Sequence, residues 1–598
     1  MLYLTKKDHC ILAGLLFTLS ALALEFIALR LHIPTWGSLI AISGAFILGL
    51  AACRPISDAS ARVPGRASTS NCVVVVSFFI AFIAFVYRSG YVLPAHDPIA
   101  VPLLAKIVTF GKLSLDEFVR GSSAYSYPPG YPILFSPVMA FVPAVDAYFV
   151  FKVLNIATVA LIPVTWAWMQ KRLFPVPIQS WQTLLATYLV FFGIERTIGF
   201  ALPFAGKNAV LLAILFAPLV IVMAVDGSRS NVGTMLAATA TFGLILIHYT
   251  MLHMLAALLG SYTIFALFTK RILWVDALRI VFIGAIPAGL MLIFLHDALT
   301  DPRAGSFTFQ PLHGLYALLS TILARNSFIV IYTDADFGIS GFPYRGLALS
   351  ACTVFSIAVA HITKLPNLGC GALVFFSAFV ASLALALGVV PSGLAPDFAR
   401  WFLWAIQAMV FAQAAVAALC LIHSAKSLFR TVLIGGVSIV ALIAIAMMHS
   451  DSLVYANVNK SQKVTRDQLV QMQRTLIQAS SGRECMIISD STHIPEALVT
   501  IQPAKAWEYA ESATTCRFMN GSWMQPGVAG GRDLGGFPSA DVLKALPLQA
   551  ALFFVGSEVR LRQYSQQLRD SGLQVAWDRI GVANSVPVWQ RTPIRVHH

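Results

Sequence analysis

Charge is what this sequence has least of. Charged residues make up 11 % of the 598 positions, against 58 % hydrophobic, where a soluble domain carries about 25 % charged. That scarcity excludes a wholly water-soluble chain. Acidic residues are the rarer sign, 27 against 41 Lys and Arg, for a formal charge of +14. The excess is no nucleic-acid footprint, because Lys and Arg are scattered over short loops and form no basic stripe with stacking aromatics. No CxxC pair and no Cys/His spacing of a zinc site occurs. The glycine-rich run Gly530-Gly531-Arg532-Asp533-Leu534-Gly535-Gly536 lacks the preceding strand and the spacing of a dinucleotide fingerprint, so it reads as a loop. No internal repeat is evident, which weighs against a repeat-built transporter. Ionisable residues are also scarce in the middle of the apolar runs. Glu25 is the exception, and Arg30 lies near enough to explain it as a structural contact.

What the chain has instead is long apolar runs. Stretches of about 17–22 residues recur over the first 450 positions, long enough to cross a bilayer as helices. The candidate spans are approximately 10–31, 35–53, 72–91, 147–169, 181–197, 208–225, 232–249, 250–268, 278–296, 346–362, 369–390, 401–422 and 431–449, about thirteen in all. The first follows Lys6-Lys7 and continues to Leu31 without a small-residue cleavage site, so it reads as a retained signal anchor.

The basic residues orient these spans. Lys6 and Lys7 start in the cytoplasm, and Arg54, Arg62 and Arg66 return there. Lys171-Arg172, Arg229, Lys270-Arg271, Lys364, and Lys426 with Arg430 then fall on the same side. The alternation closes only if the apolar segment Tyr131–Val145, which carries Pro132, Pro137 and Pro143, lies at the outer interface and does not cross. The expected architecture is a mainly α polytopic membrane protein. Residues 1–450 form its transmembrane domain, with outer loops 92–146 and 297–345, and residues 451–598 form a small extracytoplasmic α/β domain. The expected location is a bacterial inner (plasma) membrane, with a cytoplasmic N-terminus.

The tail changes character. A helix is expected over Gln462–Ser480 and strands over Cys485–Ser489, Ala550–Val555 and Leu573–Trp577. A short helix at Ala540–Ala545 and an amphipathic helix over Glu558–Ser571 complete the reading. Strand, helix and strand at that spacing imply a parallel pair. Six cysteines sit in or beside apolar runs and read as small buried residues. Cys485 and Cys516 stand in the polar tail, where an oxidising compartment allows a disulfide or two free thiols.

The chemistry is expected in the outer loops. Asp97 follows the third span between Pro94 and Pro98, which fix the backbone and hold the carboxylate near the bilayer surface beside His96. An acid there serves as a general base on a sugar hydroxyl or as a ligand to a divalent cation such as Mg, Mn or Ca; the plainer reading is a residue solvating a helix end. Ser114 with Glu117 matches a capping box, which accounts for Asp116 and Glu117. Tyr125, Tyr127 and Tyr131 offer faces for sugar rings or anchors at lipid headgroups. Glu195-Arg196 and Lys207 bracket a short outer loop, as an ion pair or a phosphate site. His248 sits at the rim of a later hairpin, with His253 behind it. Arg345 and Arg400 each open a span from the outer side, placed to hold a lipid phosphate bidentately or to snorkel. Asp334-Ala335-Asp336 spells a metal-nucleotide motif of soluble glycosyltransferases, on the wrong side of the membrane for a nucleotide.

These features resemble the GT-C class of integral-membrane glycosyltransferases. The resemblance rests on Asp97 in the first large outer loop, on Tyr127-Pro128-Pro129-Gly130-Tyr131-Pro132 before a span ending Lys171-Arg172-Leu173-Phe174, and on Asp397-Phe398-Ala399-Arg400-Trp401 opening a late span. It covers about the first 450 residues. Two features depart from the class: two spans precede the helix before the acidic loop, and a second early acid is matched only loosely by Asp116 or Glu117. The resemblance implies a hexosyl- or pentosyltransferase, with a lipid-linked sugar donor and a glycan, lipid or protein acceptor. Asp97 would be its catalytic base or a metal-assisted contact to the acceptor, and the donor phosphate would lie near Arg345 or Arg400, with Lys207 beside it. The competing classes are a flippase of lipid-linked sugars, which needs ionisable residues at mid-span, and an O-antigen-type polymerase or ligase, which needs catalytic His or Arg in a late outer loop.

Overall fold

The computed structural model describes residues 6–31, 66–86, 129–141, 147–204, 208–249, 251–294, 311–323, 344–386, 396–425, 427–461, 485–489, 516–520, 551–583 and 586–592, with a few positions in 471–479. The chain forms two compact units. One holds Met1–Arg88, Val153–His296 and Phe307–Val458; the other holds Ser89–Lys152, Asp297–Ser306 and Asn459–His598.

The first unit is helical. In chain order its elements are α1 (Lys6–Arg30), α2 (Arg66–Val86), then, past α3 (Gly130–Phe141) of the other unit, α4 (Ala147–Leu173), α5 (Ser180–Leu189), α6 (Asn208–Gly227), α7 (Asn231–Ile247), α8 (Met251–Phe268) and α9 (Trp274–Phe294). After these come α10 (Pro311–Leu323), α11 (Arg345–Thr363), α12 (Pro366–Ala386), α13 (Pro396–Ser424) and α14 (Ser427–Ser461). Among the described residues nine helices are long and apolar enough to cross a membrane, and three shorter apolar ones, Ser70–Ala84, Ser180–Ile194 and Asn231–Ile247, fall on three more of the expected spans. The expected span 35–53 lies outside the described residues. Side chains such as Val432, Ile439 and Leu442 on α14 are apolar and more than half exposed. That surface suits lipid and does not suit water.

Packing follows small residues. Along the α1–α7 contact a Cβ on Gly243 would lie 2.4 Å from the carbonyl oxygen of Leu19. The two backbones touch there, as in membrane helix pairs that lack room for a side chain. Polar clasps add to this: Trp166 donates to the Ile214 carbonyl at 3.0 Å. Gln170 donates to Gln413 Oε1 at 2.6 Å, and Gln413 donates to the Leu368 carbonyl at 3.1 Å, joining α4, α13 and α12.

Three turns meet at one end of this bundle. Arg271, after α8, donates to Asn367 Oδ1 at 2.6 Å, and Asn367, opening α12, donates to the Pro175 carbonyl after α4 at 2.8 Å. Arg279 of α9 binds Asn231 Oδ1 at 2.9 Å and the Ser228 carbonyl at 3.2 Å, tying in the α6–α7 turn. Asp8 of α1 pairs with Arg172 at 2.6 Å. Basic residues that the sequence assigns to one side of the membrane thus gather at one end.

In the second unit α3 has 12 residues, about 18 Å at 1.5 Å per residue. That is short of the roughly 30 Å hydrocarbon core. The tail forms a five-stranded sheet, ordered β2-β1-β3-β5-β4, from β1 (Cys485–Ser489), β2 (Cys516–Asn520), β3 (Ala551–Val555), β4 (Ala576–Ala583) and β5 (Val586–Thr592). Strand β1 is parallel to β2 and β3, while β5 is antiparallel to β3 and β4. Helix α15 (Glu558–Asp570) buries Leu561, Tyr564 and Leu568 against Ile488, Leu552 and Phe554. Two expectations are corrected. The strand expected over Leu573–Trp577 begins at Ala576, because Ser571–Leu573 close α15 in a Schellman turn: Gly572 has φ 77°, and Leu573 N–H returns to the Leu568 carbonyl at 2.8 Å. The strands flanking α15 do not pair, since β5 separates β3 from β4; the parallel pairs are β1 with β2 and β1 with β3. Cys485 and Cys516 are register partners on neighbouring strands, and their side chains lie outside the described set.

Candidate functional site

Each helix leaving the basic end crosses the bundle once, so the opposite end can be read from connectivity. It receives the end of α5, the start of α6, the α7–α8 turn, the start of α11 and the start of α13. Buried polar side chains toward this end include Glu195, Arg196, Asn208, His248 and Arg345.

The approach from α5 is unusual. The helix loosens into two π-helical turns, Val190–Ile194 and Thr197–Ala201, with Glu195 and Arg196 between them. Arg196 has φ 61°, a conformation costly for a residue with a side chain. Glu195 is 1 % exposed and its Oε2 accepts from the Ile198 amide at 3.2 Å, so the carboxylate caps the second π turn. Arg196 is also buried. Wide turns of this kind gather at functional sites. Phe79, Phe192 and Phe200 pack around the bend, with Tyr188 stacked on Phe79 at 4.1 Å.

Arg345 is the first residue of α11, behind Tyr344 in the left-handed conformation at φ 58°. Its side chain is 4 % exposed, so the guanidinium is drawn inside and does not snorkel into solvent. His248 caps the C-terminus of α7 in extended conformation and is buried, with its carbonyl accepting from Met251 to close the turn. Asn208 opens α6 and Gln407 lies in the first half of α13. Both are buried, and neither side-chain amide has a hydrogen-bond partner among the described residues. Glu25 of α1 is 2 % exposed with Oε2 unpartnered in the same sense, as is His253 Nδ1 on α8. Buried amides and carboxylates without partners mark places where water or a polar ligand belongs.

Of the expected site residues, His248 and Arg345 lie at this end with described side chains. Arg400 lies there in the first turns of α13, its side chain outside the described set. Tyr131 belongs to the other unit and is buried in α3. His96, Asp97, Tyr125, Tyr127 and Lys207 lie outside the described residues, as do Asp116, Glu117, Asp334 and Asp336. Asn208 and Gln407 escaped the sequence reading, because an amide inside an apolar run carries no charge to flag it. Among the described residues no group of three or more His, Cys, Asp or Glu is placed to hold a metal ion.

The fold of this chain, an apolar helical bundle with a small sheet, is shared by a solved structure. The particular protein it matches is ArnT from Cupriavidus metallidurans. In the apo state the TM-score is 0.50 at 12 % identity, over 88 % of this chain and 98 % of that one. Against ArnT bound to undecaprenyl phosphate it is 0.49 at 10 % identity, over 87 % and 98 %. At such identities the likeness is one of fold. No family model and no curated protein matches the sequence.

Proposed function

We propose that this chain transfers a sugar from a polyprenyl-phosphate donor to a cell-envelope glycan, lipid or protein acceptor at the extracytoplasmic face. The observation that carries the reading is the buried Arg345 guanidinium at the polar end of a GT-C fold. An arginine at the start of a span is well placed to hold a lipid phosphate bidentately. ArnT itself binds undecaprenyl phosphate.

In the reaction an acceptor hydroxyl attacks the anomeric carbon of the donor. The bond from that carbon to the phosphate oxygen breaks, and the polyprenyl phosphate departs with the electron pair. Asp97, with His96 beside it, takes the hydroxyl proton. Arg345, Arg400 and Lys207 stabilise the negative charge that grows on the phosphate. On this reading Tyr125 and Tyr127 offer faces for the sugar, and His248 contacts the substrate from the α7–α8 turn. A divalent cation on Asp97 would polarise the same hydroxyl.

The test uses the full chain in vesicles with a panel of polyprenyl-phosphoryl sugars, reading release of polyprenyl phosphate. Asp97→Asn should lower turnover by about 100-fold or more, the scale of general-base catalysis. Undiminished transfer by a folded Asp97→Asn protein would remove Asp97 from the mechanism. Loss of turnover on chelation would assign the metal-assisted form.

A further inference from the structure

A second feature lies at the basic end of the first unit. A cleft of about 680 Å³ opens between α2, α4 and α5, within the range of small-molecule sites. Its walls are apolar, with Val73 on α2 and Val164 on α4. Its floor at the basic end holds Lys171, Arg172 and Ser180, with Trp168 and Cys72 beside them. Val164 precedes Lys171 by two turns, so the cations sit about 10 Å along α4 from the apolar wall. Val73 and its neighbour Val74 are 60 % and 62 % exposed, so the mouth of the cleft faces the lipid side of α2.

The two cations are treated differently. Arg172 pairs with Asp8 Oδ2 at 2.6 Å, and Asp8 Oδ1 accepts from Trp168 Nε1 at 2.9 Å. That carboxylate is engaged on both oxygens. Lys171 donates to Ser180 Oγ at 2.7 Å, and no carboxylate among the described residues pairs with it. An ammonium group has three N–H donors, so two remain to be met. Among the described residues the floor therefore carries one uncompensated positive charge beneath an apolar slot open to the bilayer.

We propose that this cleft binds an anionic phospholipid, with its phosphate on Lys171 and Ser180 and an acyl chain between Val73 and Val164. The charge and the slot match the two halves of such a lipid, and basic pockets between membrane helices take anionic headgroups for the same reason. On the orientation proposed above the lipid comes from the cytoplasmic leaflet. It is separate from the donor lipid, which belongs to the polar end.

Cys72 provides the readout. The full chain is placed in nanodiscs of phosphatidylcholine alone or with phosphatidylglycerol, and alkylation of Cys72 is followed by peptide mass spectrometry. Phosphatidylglycerol should slow alkylation about fivefold, the effect of one lysine at an anionic surface. Lys171→Gln should abolish the difference between the two lipid compositions, and Lys171→Arg should keep most of it. Equal rates in the two nanodiscs with the wild-type chain would overturn the proposal, whatever the variants do. So would protection by inorganic phosphate in lipid-free detergent, which would assign the site to a free anion.

Discussion

The tightest helix contact gives the sharpest test of the packing. Gly243 on α7 faces Leu19 on α1, and a methyl group added there would meet the Leu19 carbonyl oxygen at 2.4 Å and its Cβ at 2.9 Å. Ordinary contact begins at 3.4 Å, so Gly243→Ala must part the helices by about 1 Å in an interior packed like a crystal. The obstacle is backbone, which cannot rotate away. Overpacking of this size costs about 1–3 kcal/mol. The control is Gly260→Ala on α8, where nothing lies within 4 Å of the new Cβ, and where Ala should gain up to about 1 kcal/mol as the better helix former. The two variants carry the same chemical change and should differ by about 1–4 kcal/mol. Apparent melting temperature of the detergent-solubilised chain ranks them, with Gly243→Ala below the wild type and Gly260→Ala at or above it. A Gly243→Ala protein as stable as Gly260→Ala would show that α1 does not touch α7 in this way. The contact also bears on the polar end, because α1 carries Glu25 and α7 ends at His248.

Two further outcomes follow from polar groups. Gln413→Ala strips partners from the Leu368 carbonyl and the Gln170 amide and should cost about 1–3 kcal/mol, whereas leucine at both glutamines should restore much of the loss; thermal denaturation of the three proteins decides it. In the tail, burial pushes the Tyr564 phenol up from its ordinary value, which is about 10 in an unfolded chain. A raised folded-state value means that stability is fully present below pH ~10 and is lost as pH rises beyond it. Hydrogen exchange of the β3 amides in the full chain should therefore quicken above pH ~10, and Tyr564→Phe, which keeps the ring against Phe554, should remove that component of the alkaline response.

The first unit was legible because its signals are local and physical. Long apolar runs mark helices, and Arg172, Arg271 and Lys364 mark the ends that gather on one side. In the tail, β1 and β3 were legible as short apolar runs. Strand β5 was not, because Pro587 and the consecutive polar Gln590, Arg591 and Thr592 break the apolar pattern; its place between β3 and β4 depends on its pairings. The candidate site was legible where residues carry charge, as at Arg345, and at His248. Asn208 and Gln407 read as ordinary members of apolar runs, and only their burial without partners sets them apart. Glu195 and Arg196 were visible as a charged pair, but the π turns that bury them leave no mark in composition.

Those turns make the bend at Glu195 a matter of arithmetic. A π turn holds one residue more than the α turn it replaces, and one residue is about 100° of helix rotation. The direction in which Glu195 and Arg196 emerge is therefore set by how many residues stand in Val190–Ile194, independently of what those residues are. A conservative substitution there leaves the bearing unchanged, while loss of a single residue turns both charges away from their surroundings without altering either of them.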